Sequence, residues 1–126
     1  MKLNLVLTLA AVWMALLGLL TLILPAQFYF LEANASPTLV SLLRVQASTF
    51  LSIALLDWIA RNSESSKARD AIVLANTVGS GLAAVLLVLA TLSGAPTFIG
   101  VSALISALFA VAFYWIGRAS MSTVTR

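Results

Sequence analysis

The chain has 126 residues, of which 62% are hydrophobic and 9% are charged, and its net charge is +3. A soluble domain is about half apolar and about a quarter charged, so this composition excludes an ordinary soluble fold and predicts that lipid is the solvent. The absence of Cys and His excludes disulfides, thiolate metal sites and the commonest general base. We therefore expect a single integral membrane domain over residues 1–126, with no metal and no cofactor.

The first apolar run covers residues 3–24. At 1.5 Å per residue it is about 33 Å long, which matches a bilayer core of about 30 Å. A secretory signal peptide is the competing interpretation, because Lys2 gives a positive start and residues 33–35 (ANA) resemble a cleavage site. The run is longer than the roughly 7–15 apolar residues of a signal peptide. We therefore expect a retained span that ends at Pro25.

An aromatic cluster, Phe28, Tyr29 and Phe30, follows this span. Aromatic side chains just beyond a span commonly lie at the level of the lipid headgroups, so these three are predicted to be interfacial anchors; a lipid-chain or pigment site is the alternative. Ser36 is expected to cap the second helix, with Pro37 in its first turn.

Three further segments are predicted to span the membrane, at residues 38–60, 71–92 and 97–117. The polar loop 61–70 joins the second span to the third, and Ser66 is expected to cap the third helix. The connection at residues 93–96 is so short that the third and fourth helices must be antiparallel neighbours. The predicted fold class is all-α, a four-transmembrane-helix bundle with an up-down-up-down order.

The basic residues predict the orientation of this bundle. Those on one side of a four-span arrangement are Lys2, Arg61, Lys67, Arg69, Arg118 and Arg126. The other side carries Glu32, with Arg44 just inside the second span. Because cytoplasmic loops are enriched in Lys and Arg, both termini and the 61–70 loop are predicted to be cytoplasmic.

Small residues share faces on three of the predicted spans. At about 100° per residue, the clustered positions are Thr8, Ala11, Ala15 and Gly18 in the first span, Asn76, Gly79, Ser80 and Ala83 in the third, and Ser102, Ser106 and Ala110 in the fourth. Small side chains let helix backbones approach closely in lipid. We predict that these faces meet at the centre of the bundle; the alternative is that one of them docks a partner protein.

Polar residues are concentrated in the second span, where Arg44 and Gln46 lie near the start and Asp57 and Trp58 near the end. Arg44 and Asp57 are thirteen residues apart, which is about 20 Å along a helix, so they cannot pair with each other. Arg44 is expected to extend toward the outer headgroups, or to bind Glu32 or a lipid phosphate. An anchor for an anionic ligand is the functional alternative.

Asp57 is expected to tie its helix to a neighbour. It precedes Arg61 by four residues, a favourable order for an ion pair on one helix. It also lies at about the depth of Asn76 in the third span, which predicts an Asp57–Asn76 hydrogen bond. Trp58 is predicted to be an interfacial anchor.

The run Asp57-Trp58-Ile59-Ala60-Arg61, with Arg44 before it and Asn76 after it, resembles a widespread group of small, uncharacterised bacterial four-helix membrane proteins. In that group the second span opens with an Arg and ends in a Trp-x-Ala-Arg-like motif. Gly commonly follows the Arg there, whereas this chain has Ala47 and Ser48. The resemblance implies the four-helix architecture and the bacterial cytoplasmic (inner) membrane, and it implies no particular activity.

Three classes of function are compared. The first is a non-enzymatic small subunit or scaffold of a membrane assembly, or a homo-oligomer, and the small-residue faces and short loops favour it. Its expected partners are membrane lipids and either other subunits or a second copy of the chain, and not nucleic acid. A small four-helix transporter or channel needs an acidic residue well inside a span, and Asp57 lies near an end.

An intramembrane enzyme is the third class and the least favoured. The two ionisable groups at membrane depth lie too far apart to form a catalytic set, so no enzymatic activity is expected. Pigment, quinone and lipid binding stay open, because such ligands need only apolar grooves.

Overall fold

A computed structural model of the chain describes residues 2–28 and 36–121, without the side chains of residues 26, 27 and 121. The described residues form four long helices and one single turn, with no strand among them. The helices are α1 (Leu3–Ile23), the single turn α2 (Pro25–Phe28), α3 (Pro37–Ala60), α4 (Lys67–Leu92) and α5 (Thr97–Met121). All four long helices are long and apolar enough to cross a membrane. The predicted all-α fold class with four membrane-length helices is therefore confirmed.

Serine caps define where α3 and α4 begin. The backbone N–H of Leu39 donates to the Ser36 hydroxyl oxygen at 3.2 Å, and the N–H of Arg69 donates to the Ser66 hydroxyl oxygen at 3.2 Å. Each oxygen satisfies one of the backbone donors that a helix start leaves unpaired. Both predicted caps are confirmed.

The structural helices extend beyond the predicted spans at their polar ends. The helix α4 begins at Lys67, where the apolar pattern predicted a span from Ala71, and α5 continues from Gly117 to Met121. Lys, Ala and Arg are good helix formers, and the Ser66 cap precedes them. The backbone therefore stays helical outside the apolar stretch that hydropathy detects.

The turn between α4 and α5 closes through a Schellman arrangement. The N–H of Ala95 donates to the carbonyl of Ala90 and the N–H of Gly94 to that of Thr91, both at 3.1 Å. Gly94 has φ +93°, a left-handed conformation that glycine adopts without a Cβ clash. Pro96 follows and prevents the helix from continuing.

The chain divides into two compact units. The α1–α3 unit is Leu7–Ile59, and the α4–α5 unit is Met1–Val6 with Ala60–Arg126. In the α1–α3 unit, Gly18 of α1 lies against Leu51 and the carbonyl of Ala47 on α3. Buried apolar positions of this unit include Leu7, Ala10, Ala11, Ala47 and Ala54.

In the α4–α5 unit the two long helices run antiparallel. Thr91 of α4 lies opposite Gly100 near the turn, and Val73 lies opposite Gly117 at the far end. The buried residues of these helices are Val73, Ser80, Ser102, Ala103, Phe113 and Gly117. The predicted antiparallel hairpin is confirmed.

Large apolar side chains cover the outer surfaces of both units, for example Leu42, Leu82, Leu92 and Trp115. In water such a surface would associate or aggregate, whereas lipid tails solvate it. Together with the four membrane-length helices, this surface supports a multi-pass membrane protein.

Candidate functional site

Two polar residues near the start of α3, Arg44 and Gln46, are exposed. Neither makes a hydrogen bond or an ion pair with the part of the chain that the structure describes. The proposed partner Glu32 lies outside the described residues. An exposed Arg within a span agrees with the predicted extension toward the headgroups, so the function of Arg44 stays a prediction.

The serines near Arg44 do not add to a polar site. The Ser48 hydroxyl donates to the carbonyl of Val45 at 2.6 Å, and the Ser52 hydroxyl donates to the carbonyl of Ser48 at 2.8 Å. Hydroxyls bonded to their own helix need no outside partner in lipid. Arg44 is therefore the main polar feature of that face.

Asp57 is almost completely buried, with 1% of its surface exposed, while Arg61 and Asn76 are half-buried. A carboxyl at membrane depth is costly to expose to lipid, and burial removes it from that environment. The predicted Asp57–Arg61 ion pair and Asp57–Asn76 hydrogen bond stay predictions.

The predicted interfacial aromatic residues differ in what the structure describes. Trp58 is exposed at the last turn of α3, as an anchor requires, and Phe28 is half-buried. Tyr29 and Phe30 lie outside the described residues.

The predicted small-residue faces are placed as follows. Ala11, Gly18, Ser80 and Ser102 are buried; Ala15, Ala83, Ser106 and Ala110 are half-buried; Gly79 is exposed. Ser102 is 7% exposed, and its buried hydroxyl has no hydrogen-bond partner among the described residues. The face of α4 that sequence analysis assigned to the core is thus covered at Ser80 and open at Gly79.

An exposed line of small residues on α4 extends that open position. Ala71, Ala75 and Gly79 are spaced four apart, and all three are exposed. No heavy atom lies within 4 Å of the point where a Cβ on Gly79 would be. We call these three residues the open line of α4.

A groove lies between α4 and α5 on another side of α4. Its volume is about 240 Å³, and we call it the α4–α5 groove; its lining residues are Val73, Leu74, Thr77, Phe113, Tyr114 and Arg118. The Thr77 hydroxyl donates to the carbonyl of Val73 at 2.8 Å, so the helix itself satisfies that hydroxyl. The polar groups of the groove are then at one end, on Tyr114 and Arg118.

Tyr114 and Arg118 hold each other in place. The guanidinium Nη1 of Arg118 donates to the Tyr114 hydroxyl at 2.9 Å, and its Cζ lies 5.9 Å from the centre of the Tyr114 ring. Residues four apart lie on one helix face, so this pair could have been found from the sequence. The position of this pair beside Val73, Leu74 and Thr77 could not be predicted, because it depends on the register between two helices.

A side-chain hydrogen bond between the start of α1 and the start of α4 was also not predicted from the sequence. The Nη2 atom of Arg69 donates to the side-chain oxygen of Asn4 at 2.6 Å. These residues are far apart in the sequence, and no local pattern signals the contact. The bond places the beginnings of the two helices at the same end of the α4–α5 unit.

No group of three or more His, Cys, Asp or Glu residues that could hold a metal occurs among the described residues. Comparison of the chain with protein-family models, with curated proteins and with solved structures finds no match. The resemblance to small bacterial four-helix membrane proteins therefore stays a prediction. The class that the fold defines is a multi-pass membrane protein with four candidate spans.

Proposed function

We propose that this protein is a non-enzymatic integral membrane protein that works by association, as a small subunit or scaffold of a membrane assembly or as a homo-oligomer. The observation that carries this proposal is the open line of α4. Ala71, Ala75 and Gly79 are exposed, and the space above Gly79 is empty to 4 Å.

Small residues in such a line are suited to helix contact. Where a helix only faces lipid, Leu is solvated no less favourably than Gly, because lipid tails are as apolar as Leu. Small residues four apart instead let a second transmembrane helix approach the backbone closely, which increases van der Waals contact. The partner that fits is another transmembrane helix, from a second copy or from a different subunit.

The charge distribution supports a cytoplasmic location for both termini and for the connection between α3 and α4. The Asn4–Arg69 bond and the antiparallel packing of α4 on α5 bring Lys2, Lys67 and Arg118 to one end of the α4–α5 unit. Basic ends of membrane proteins face the cytoplasm. The resemblance in the second span extends the proposal to the inner membrane of a bacterium.

The test is a size change on the open line. In the full-length chain, Gly79→Ile is expected to lower the cross-linked or co-purified assembly at least about tenfold, which corresponds to about 1.4 kcal/mol. Gly81→Ile is the matched control, because Gly81 also has no heavy atom within 4 Å of a Cβ and points about 200° away on the same helix. Association is measured by cross-linking in native membranes, followed by native mass spectrometry in mild detergent.

The mass of the assembly identifies the partner. A multiple of the chain mass indicates a homo-oligomer, and an additional mass indicates a subunit of a larger assembly. A chain that is monomeric in its own membrane, or equal effects of the Gly79 and Gly81 variants, would contradict the proposal.

A proton-coupled transporter is the second candidate, and the burial of Asp57 favours it. Acidic side chains within spans commonly mark ion or proton pathways. On this alternative, Asp57→Asn abolishes proton-coupled flux in proteoliposomes, while Glu64→Gln, which removes the same charge from an exposed loop position, leaves it unchanged. Absence of flux in the unmodified protein, or flux that survives Asp57→Asn, rejects transport.

A further inference from the structure

We propose that the α4–α5 groove binds one anionic phospholipid. The lipid phosphate is placed on Arg118, and the first part of one acyl chain lies along Leu74 and Thr77, over the buried side chains of Val73 and Phe113. The groove and the open line of α4 are on different sides of the helix, since Thr77 and Gly79 are about 200° apart. Lipid binding beside Thr77 and helix association at Gly79 can therefore be tested by separate variants.

The walls of the groove suit a hydrocarbon chain. They are formed by Val73, Leu74 and Phe113, together with Thr77, whose hydroxyl is bonded to its own helix. The volume of about 240 Å³ is below the roughly 300–1,000 Å³ of pockets that enclose a drug-sized ligand. The groove therefore fits part of a flexible chain better than a whole ring system.

The length of the groove argues against a docked helix. Its residues extend from 73 to 77 on α4 and from 113 to 118 on α5, which is roughly 6–8 Å along the helix axes. That is between about one and one and a half helical turns, and it is too short for a transmembrane helix to pack along it. A lipid acyl chain can bind through a contact of this length.

The polar end of the groove suits a phosphate. The guanidinium of Arg118 has five N–H donors, and among the described residues its one hydrogen bond goes to the Tyr114 hydroxyl. The remaining donors form a fork that matches phosphate oxygens. The contact with the Tyr114 ring at 5.9 Å holds this fork before a lipid binds.

Trp115 indicates that this end of the groove lies at headgroup depth. It is 68% exposed, and its ring meets that of Tyr114 edge to face, with centres 5.6 Å apart. Exposed Trp and Tyr side chains near the end of a span commonly lie at the membrane interface. A phosphate at this depth is within reach of Arg118.

The charge around the groove favours an anionic over a zwitterionic headgroup. The segment from Arg61 to Asp70 together with Arg118 has four basic and two acidic residues, a net charge of +2. The start of α4 and the end of α5 meet at this end of the unit. Basic residues near a membrane surface attract anionic lipids, by about fivefold in affinity for each residue.

The experiment uses the full chain in liposomes with photoreactive lipids. Phosphatidylglycerol and phosphatidylethanolamine probes carry the same acyl chains, with a diazirine close to the glycerol, and labelled peptides are identified by mass spectrometry. We expect phosphatidylglycerol to label peptides 73–77 and 113–118 at least about fivefold more than phosphatidylethanolamine.

Three variants distinguish lipid binding in the groove from general electrostatic attraction to the basic surface. Arg118→Gln is expected to bring the ratio of the two lipids at these peptides close to one. Lys67→Gln removes one exposed positive charge at the same end of α4 without changing a lining residue, and it is expected to lower the preference less than Arg118→Gln does. Leu74→Trp narrows the groove and is expected to reduce labelling by both lipids, with helix content checked by circular dichroism.

Other outcomes overturn the proposal. Equal labelling of the unmodified protein by the two lipids removes the headgroup preference. Equal losses in the Arg118 and Lys67 variants show attraction to the basic surface alone. Cross-links from the two groove peptides to another protein show that the groove is a protein contact.

Discussion

Replacing Gly117 with Ala is expected to destabilise the α4–α5 unit by about 1–3 kcal/mol, the usual cost of overpacking a close contact. A Cβ on Gly117 would overlap the Cγ1 methyl of Val73. Val73 is 3% exposed, and a β-branched side chain in a helix has essentially one favoured rotamer. The methyl cannot swing aside, so the helices must separate. The measurement is the free energy of unfolding in detergent micelles, followed by circular dichroism.

Gly100→Ala is the matched control for this prediction. Gly100 lies on the same helix as Gly117 and also faces α4. A Cβ on Gly100 would be 3.4 Å from the nearest atom of Thr91, which is an ordinary van der Waals contact. We expect this variant to be neutral, or stabilised by up to about 1 kcal/mol through the higher helix propensity of Ala. Equal effects at the two glycines would show that the Val73 contact does not limit the approach of the helices.

The double variant Val73→Ala/Gly117→Ala assigns the clash to one pair of side chains. Val73→Ala alone removes buried contacts and is expected to be destabilising. When both changes are combined, the new Cβ occupies part of the released space. A coupling energy of about 0.5–3 kcal/mol in the double-mutant cycle is expected for residues in contact.

Local sequence signals account for the helices and their caps. Apolar runs of membrane length, Ser36 before Pro37 and Ser66 before the third span each act within a few residues, so they are readable without tertiary information. The start of α4 and the end of α5 were harder to predict from the sequence. Helix propensity and capping continue into polar residues, where hydropathy no longer follows the helix.

The helix faces could be predicted only in part. Gly79 and Ser80 fall on one broad stripe of small residues, yet they point about 100° apart. Ser80 is buried and Gly79 is exposed. The periodicity of a single helix shows which residues share a face. It does not show how much of that face a neighbouring helix covers. That limit depends on packing between helices.

The α4–α5 groove shows the same limit. Tyr114 and Arg118 are one turn apart and could be paired from the sequence. Thr77 joins them because of the register of the two helices, in which Gly117 lies opposite Val73 and Gly100 lies opposite Thr91. Packing between the helices thus determines which side chains form the groove.

Gly18→Ala is expected to destabilise the α1–α3 unit by about 1–3 kcal/mol. A Cβ on Gly18 would lie 2.7 Å from Cγ of Leu51, 2.8 Å from its Cδ2 and 3.2 Å from the carbonyl oxygen of Ala47. A side-chain branch point and a backbone atom are both in the way, so no single rotamer change relieves the overlap. Unfolding is measured in detergent as for α4–α5, with Gly81→Ala as the control in open space.

Leu51 and Ala47 form the α3 side of this contact. Ala47 is completely buried, and its carbonyl oxygen would lie 3.2 Å from a Cβ on Gly18. Leu51→Ala alone is expected to be destabilising, but the cost of Gly18→Ala should be smaller in the Leu51→Ala background, since the nearest side chain is removed and only the Ala47 carbonyl is left. A coupling energy of zero in this double-mutant cycle would show that Gly18 and Leu51 are not in contact.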